Sequence, residues 1–232
     1  MKIIIYIFLI ILTGCNYASK KNLNSTENNS NICIRCGLDT IISDSIQILN
    51  CREFDSITNE TFSRGKSLYD LSTDGYYRYG WHSYFNNNKL FRKIEYRVEG
   101  DSTLSEVVNQ YIEFNENGDT IKELSSYLEI EPHNLDTFKI GATIPLKFKV
   151  NHLNNTEDVK GAYKLFIYPQ EGNTKKEKIY SKEPSFGFDF QANKAGLTNV
   201  EGHVLFFTSL PTTKDSVSVI AISFNRKYNV LE

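Results

Sequence analysis

In the second half of this chain apolar residues recur at every other position. Ile144, Leu146, Phe148 and Val150 alternate with Pro145, Lys147 and Lys149. Successive side chains of a strand point to opposite faces, so this period makes one face for a core and one for water. A helix would scatter the same residues around its circumference. Further strands are predicted at Tyr163–Tyr168, Ser185–Gln191, Val200–Thr208 and Val217–Phe224, with Pro169, Gly172, Pro184, Gly196 and Pro211 in the breaks. Pro145 cannot donate to a ladder, so its strand is expected at an edge or with an irregular start. The chain carries 14 Tyr and 15 Phe in 232 residues, a balance that favours strands, and no convincing helix stands out. That length is enough for a core that needs no disulfides. Short strands with frequent turn signals predict an antiparallel sandwich.

A different plan runs from Gly75. The stretches GYYRYGWHSYFNNNKLFRKIEYRVEG and VVNQYIEFNENGDTIKELSSYLEIE each hold an aromatic strand, an Asn-rich turn and a charged strand. Phe85-Asn86-Asn87-Asn88 corresponds to Phe114-Asn115-Glu116-Asn117, and Asn117-Gly118 is a strong hairpin signal. Val108, Gln110, Ile112 and Phe114 alternate with Val107, Asn109, Tyr111 and Glu113 as in a half-exposed strand. The pattern resembles the MORN-like repeats found in many bacterial proteins, some of them antitoxin components. That resemblance implies stacked β-hairpins, and two units alone would need another domain to pack against. Tyr76, Tyr77, Tyr79, Trp81, Tyr84 and Phe85 read first as cross-strand packing and second as a ligand-stacking surface.

Glu131-Pro132 ends the repeat region. Beyond it, FGFDFQANKAGLTNVEGHVLFF resembles the late strands of Ig-like domains, where an Ala-Gly corner turns the chain between sheets; Leu197 stands where a corner tyrosine often sits. The expected fold is therefore mainly β: a cysteine-containing entry segment and MORN-like β-hairpins over residues 32–131, then an Ig-like antiparallel β-sandwich over 132–232.

The N-terminal segment speaks to compartment. Lys2 precedes ten apolar residues, Ile3–Leu12, which as a helix extend about 15 Å, half of a ~30 Å hydrocarbon core. A secretion signal fits this better than a permanent span. Leu12-Thr13-Gly14-Cys15 resembles the lipobox of bacterial lipoproteins. The resemblance implies removal of residues 1–14 and a diacylglycerol on the Cys15 sulfur. Two or three acyl chains would then anchor the chain durably, at roughly 0.8 kcal/mol per buried CH₂. Residues 15–31 are polar and read as the lipidated cysteine plus a flexible tether. Asn16 is not the Asp associated with inner-membrane retention, and residues 16–20 lack an acidic export run. These rules point to the outer membrane facing the periplasm, with the cell surface as the alternative.

Three cysteines remain. Cys33 and Cys36 form a C-x-x-C that lacks both the βαβ setting of a thioredoxin-like dithiol and further ligands for zinc. One structural disulfide is expected, Cys51 with Cys33 or Cys36, leaving one thiol over. His82, His133, His152 and His203 have no metal-ligand spacing, and no nucleophile elbow, P-loop or zinc-protease motif occurs. No metal, cofactor or catalytic residue is expected. Net charge is −2 with bases and acids interspersed, which does not suggest a nucleic-acid partner.

Asp followed by Ser or Thr and an apolar residue or Thr recurs more often than chance, placing Thr40, Ser45, Ser56, Ser102, Thr120 and Ser216 in one motif. It resembles the O-glycosylation sequon of a large group of Gram-negative gut and environmental bacteria. It equally suits a turn closed by Asp with a strand starting after it. Taken together, the sequence suggests a lipid-anchored envelope protein acting as a non-catalytic binding or structural module with a protein partner in the envelope. An immunity- or antitoxin-like lipoprotein is the alternative, and a glycan-acting envelope enzyme the third.

Overall fold

The computed structural model describes residues 32–100, 103–151, 161–168, 177–209 and 217–232. Six strands follow one another as an antiparallel meander: β1 (Ile32–Ile41), β2 (Ile46–Asp55), β3 (Thr61–Asp70), β4 (Gly75–Asn86), β5 (Lys89–Glu99) and β6 (Ser105–Glu113). Local chemistry makes the turns. The Asp55 carboxylate accepts the N–H groups of Ile57 and Thr58, and that of Asp70 accepts Ser72 N–H. Asn87 and Asn88 both take positive φ, as a tight two-residue hairpin between right-twisted strands requires.

The remaining strands are β7 (Tyr127–Glu131), β8 (Thr137–Lys139), β9 (Thr143–Asn151), β10 (Gly161–Ile167), β11 (Glu177–Ser181), β12 (Ser185–Gln191), β13 (Gly196–Ser209) and β14 (Val217–Leu231). They form one sheet in the order β11-β10-β13-β14-β8 and another in the order β12-β9-β7. Pairing is antiparallel except between β14 and β8. The mainly β, antiparallel fold expected from the sequence is present, and the two sheets are compatible with a sandwich. Leu146, Phe148 and Val150 from one sheet meet Leu165, Val204, Ile222 and Phe224 from the other in a single apolar cluster. The Phe148 and Phe224 ring centroids lie 5.2 Å apart. Gly202 is obligatory, because a Cβ there would stand 2.0 Å from the Phe166 carbonyl oxygen.

Two local readings change and a third is placed. β7 pairs with β9, so Tyr127–Glu131 joins the sandwich rather than the hairpins. The return limb of the second hairpin keeps only the isolated bridges Tyr111↔Ser126 and Phe114↔Thr120, because the chain leaves through a 3-10 turn at Lys122–Leu124. Pro145 sits in β9 beyond the end of the β7 pairing, which stops at Lys147, so the strand is edge-like where proline occurs.

Alternation in β6 is interrupted by a bulge, since Glu95 faces Gln110 while Tyr96 faces Val108. Asn109 and Gln110 are both buried as a result, and they join the meander to the sandwich. Asn109 Nδ2 donates to Ser223 O, and Ser223 N donates to Asn109 Oδ1, both at 2.8 Å. The side-chain amide thus stands in for a strand backbone beside β14. Leu128 N donates to Gln110 Oε1 at 2.9 Å. Asn109→Ala leaves a buried N–H and C=O of Ser223 without these partners, which costs roughly 1–3 kcal/mol each way. Urea unfolding followed by tyrosine fluorescence should show a midpoint well below that of the parent; an unchanged midpoint would count against the clamp.

Candidate functional site

Among the described residues the apolar cluster lies entirely in the two-sheet part, and the meander is a single layer. On one face Ser63, Ser67, Arg78, His82, Tyr84, Tyr96 and Glu106 come together. His82 lies over Gly65, where a Cβ would fall 2.4 Å from the imidazole ring. Its Nε2 donates to Lys66 O at 2.6 Å, which leaves Nδ1 buried with no hydrogen-bond partner. The ring meets Tyr96 edge-on, and the hydroxyls of Tyr84 and Tyr96 share a 2.7 Å hydrogen bond. Arg78 lies over the Tyr96 ring and pairs with Glu106 at 2.9 Å. Only 3% of His82 is exposed, and its ring N–H is committed to a carbonyl, so it organises the sheet rather than attacking a substrate.

The opposite face carries a row of bases. Arg35 stands directly across from Arg52, and Arg52 from Arg64; Arg64 faces Ser83, and Ser83 faces Lys93. Like charges in facing positions destabilise a sheet. Aromatic rings accommodate them here. Arg35 and Arg52 both stack on Phe54, Arg64 on Phe85, and Lys93 over Phe114. Arg52 donates through Nη2 to Asn59 O at 2.7 Å, while its buried Nε has no partner. The acids on this face are already occupied: Asp39 pairs with Lys66 at 2.8 Å, and Glu95 accepts from Asn109 and Gln110. Tyr79 and Trp81 flank the row with 40% of each residue exposed.

The hairpin aromatics singled out in the sequence are therefore divided. Tyr84 and Phe85 are engaged in packing, Tyr76 stacks on Tyr69 with centroids 4.3 Å apart, and Tyr79 and Trp81 stay open. Of the two pairings open to Cys51, the structure makes Cys36–Cys51, in facing positions of β1 and β2 with Cα atoms 4.1 Å apart. The expectation of one thiol left over is corrected for the described residues, none of whose cysteines is free; Cys33 is buried on the arginine face, and acylation of the remaining sulfur, Cys15, would return it to a thiol. Thr40, Ser45 and Ser56 are exposed at strand ends or turns, whereas Thr120 is half-buried at its bridge to Phe114. Cys15, Ser102 and Ser216 lie outside the described residues. Among the described residues, no three His, Cys, Asp or Glu side chains gather as a metal site, and no helix is long and apolar enough to cross a membrane.

A scan against protein-family models finds no match, and a search of curated proteins finds none either.

Burial holds the His82 pKa below the usual imidazole range, against the pull of the Lys66 carbonyl. The unfolded chain therefore binds a proton that the native site resists. Stability should be complete above about pH 6.5 and fall as pH drops from there toward the lower native value. Urea midpoints at pH 7.5 and 5.5 should differ in the parent by more than in His82→Asn; equal pH dependence in the two proteins would contradict this reading.

Proposed function

We propose that this chain is a lipid-anchored protein of the bacterial cell envelope whose folded body is a non-catalytic binding module. The observation that carries the anchor is Leu12-Thr13-Gly14-Cys15 directly after the apolar run Ile3–Leu12. The module reading draws support from the meander, which offers a broad sheet face bearing unpaired bases and open aromatic rings. A polar stretch between Cys15 and the first described strand suits a tether that holds this face away from a bilayer. The membrane meant is the outer one, on its periplasmic side or at the cell surface. The division of the strands, β7, β9 and β12 in one sheet and β10, β13 and β14 in the other, supports the Ig-like resemblance of the sandwich.

Sulfur chemistry gives a direct test, since one sulfur cannot be both a thioether and a thiol. After full reduction, a protein acylated on Cys15 exposes three alkylatable cysteines, Cys33, Cys36 and Cys51, and an unacylated one exposes four. Intact mass after alkylation of the protein from its native membranes should show three. Four would end the lipoprotein reading.

The hydroxyls of Thr40, Ser45, Ser56, Ser102, Thr120 and Ser216 belong to the same proposal as glycan acceptors. At Asp55 the structural role of the motif is also visible, because its carboxylate closes the turn that presents Ser56. In the native host, Ser45→Ala, Ser56→Ala and Thr120→Ala combined should remove mass beyond the three oxygens and one methylene that the substitutions themselves take away. A parent protein of unmodified polypeptide mass would dispose of the idea.

A further inference from the structure

We propose that two copies of this chain pair through β1, antiparallel about a two-fold axis at Cys36, and so join two six-stranded meanders into one continuous sheet. The inference goes beyond the binding-module reading and rests neither on it nor on the lipid anchor.

β1 is the outermost strand of the meander, paired on one side only, to β2. Cys36 and Cys51 face each other with Cα atoms 4.1 Å apart. Facing residues that exchange backbone hydrogen bonds stand about 5.5 Å apart, and those that do not stand about 4.5 Å apart. The N–H and C=O of Cys36 therefore point away from β2, and by alternation so do those of Ile32, Ile34 and Leu38. Among the described residues no backbone group bonds to them. Natural edges are usually blunted by charge, proline or a covering segment. Here the outward rungs carry apolar side chains on one face of the sheet, with 37% of Ile34 and 59% of Leu38 exposed. Another strand completes such an edge, because it supplies N–H and C=O groups at the same repeat and apolar side chains for that face.

Self-complementarity selects a second copy as that strand. A two-fold at Cys36 pairs Ile34 with Leu38 of the second copy, Cys36 with its own equivalent, and Leu38 with Ile34 of the second copy. Arg35 then stands opposite Gly37 of the second copy and diagonal to its Asp39, within reach of a long side chain. Arg35 has no carboxylate among the described ion pairs, and Asp39 lies on the same face, held by Asn50 and Lys66. The two-fold makes this contact twice. It also gives Gly37 a purpose. A Cβ there would meet nothing within 4 Å and its φ is not positive, so a single chain has no need of glycine at that position. Glycine inside a strand often marks the close approach of another backbone, and here it leaves room for Arg35 to cross. Other two-folds do worse. One at Arg35 sets two guanidinium groups face to face, and one at Gly37 forms two rungs before the bulge between Leu38 and Thr40 interrupts the ladder. The chain ahead of Ile32 is a poor substitute: residues 18–31 read ASKKNLNSTENNSN, with Leu23 the one large apolar side chain to set against Ile34 and Leu38.

The test measures protein mass per particle by light scattering during size exclusion, on the full chain in excess detergent. The parent should contain two chains. Ile34→Lys/Leu38→Lys should contain one, with an unchanged circular dichroism spectrum. Ile34→Pro should do the same, because the N–H it removes bonds nothing within the chain. Arg35→Glu, which sets a second carboxylate beside Asp39, should weaken dimerisation about fivefold or more, as two lost cross-strand charge pairs allow. Amide exchange at Ile34, Cys36 and Leu38 should be slow in the parent and fast in Ile34→Lys/Leu38→Lys. A single-chain mass for the parent would overturn the proposal; slow amides in such a single chain would mean that its own preceding residues cover the edge. Two chains retained in Ile34→Lys/Leu38→Lys would also overturn it, by placing association elsewhere, the lipid included. Undiminished pairing of Arg35→Glu would overturn the two-fold at Cys36.

Discussion

Among the described residues no second sheet packs on the meander, so its six strands share no apolar core of their own. Its buried apolar side chains are few, chiefly Leu49, Phe54 and Tyr96 beside Cys33, whereas the sandwich encloses a continuous core. Cross-strand pairs and exposed cation–π contacts are worth roughly 0.2–1 kcal/mol each. Fully burying one large apolar side chain contributes about 1.5–3 kcal/mol. The sandwich is thus the foundation, and the meander hangs from it by the edge strand β6. The paired amide bonds of Asn109 with Ser223 and the Gln110 bond to Leu128 carry that attachment. At the far edge, Cys36–Cys51 ties β1 to β2 across facing positions.

The same single layer explains why the meander can present function. The two faces of its strands do different work. The face around His82 is closed by rings and hydrogen bonds, with Gly65 making room for the imidazole. The other face keeps its bases unneutralised and its outer rings open. A net charge of −2 describes the whole chain and conceals this, because pairing of strands sorts by face what the sequence intersperses. Electrostatic character here belongs to a surface, and only the sheet register creates that surface.

Much of the sandwich could be read from the sequence, since its strands bury one face and so show a clean period of two. Ile144, Leu146, Phe148 and Val150 are all buried, and Ser185–Gln191 is a strand with the predicted limits. β14 runs on past Phe224 to Leu231 because Tyr228 and Val230 keep facing the core between polar residues. The first three strands were hidden for the opposite reason. With no second layer, β1–β3 need no apolar alternation, so Ile32–Asp70 looked like an entry segment. Bulges blurred β6 further: Asn109 and Gln110 were read on opposite faces of a half-exposed strand, and both are inside. The row of bases was beyond reach, since Arg35, Arg52 and Arg64 meet only through long-range register.

Native-state hydrogen exchange across a range of urea concentrations tests the central claim, that a single-layer sheet depends on a sandwich which does not depend on it. Amides of β1–β5 should open in a subglobal step at low urea, while those of β9, β13 and β14 stay protected until global unfolding. Equal opening free energies and a shared urea dependence for the two sets would contradict the account.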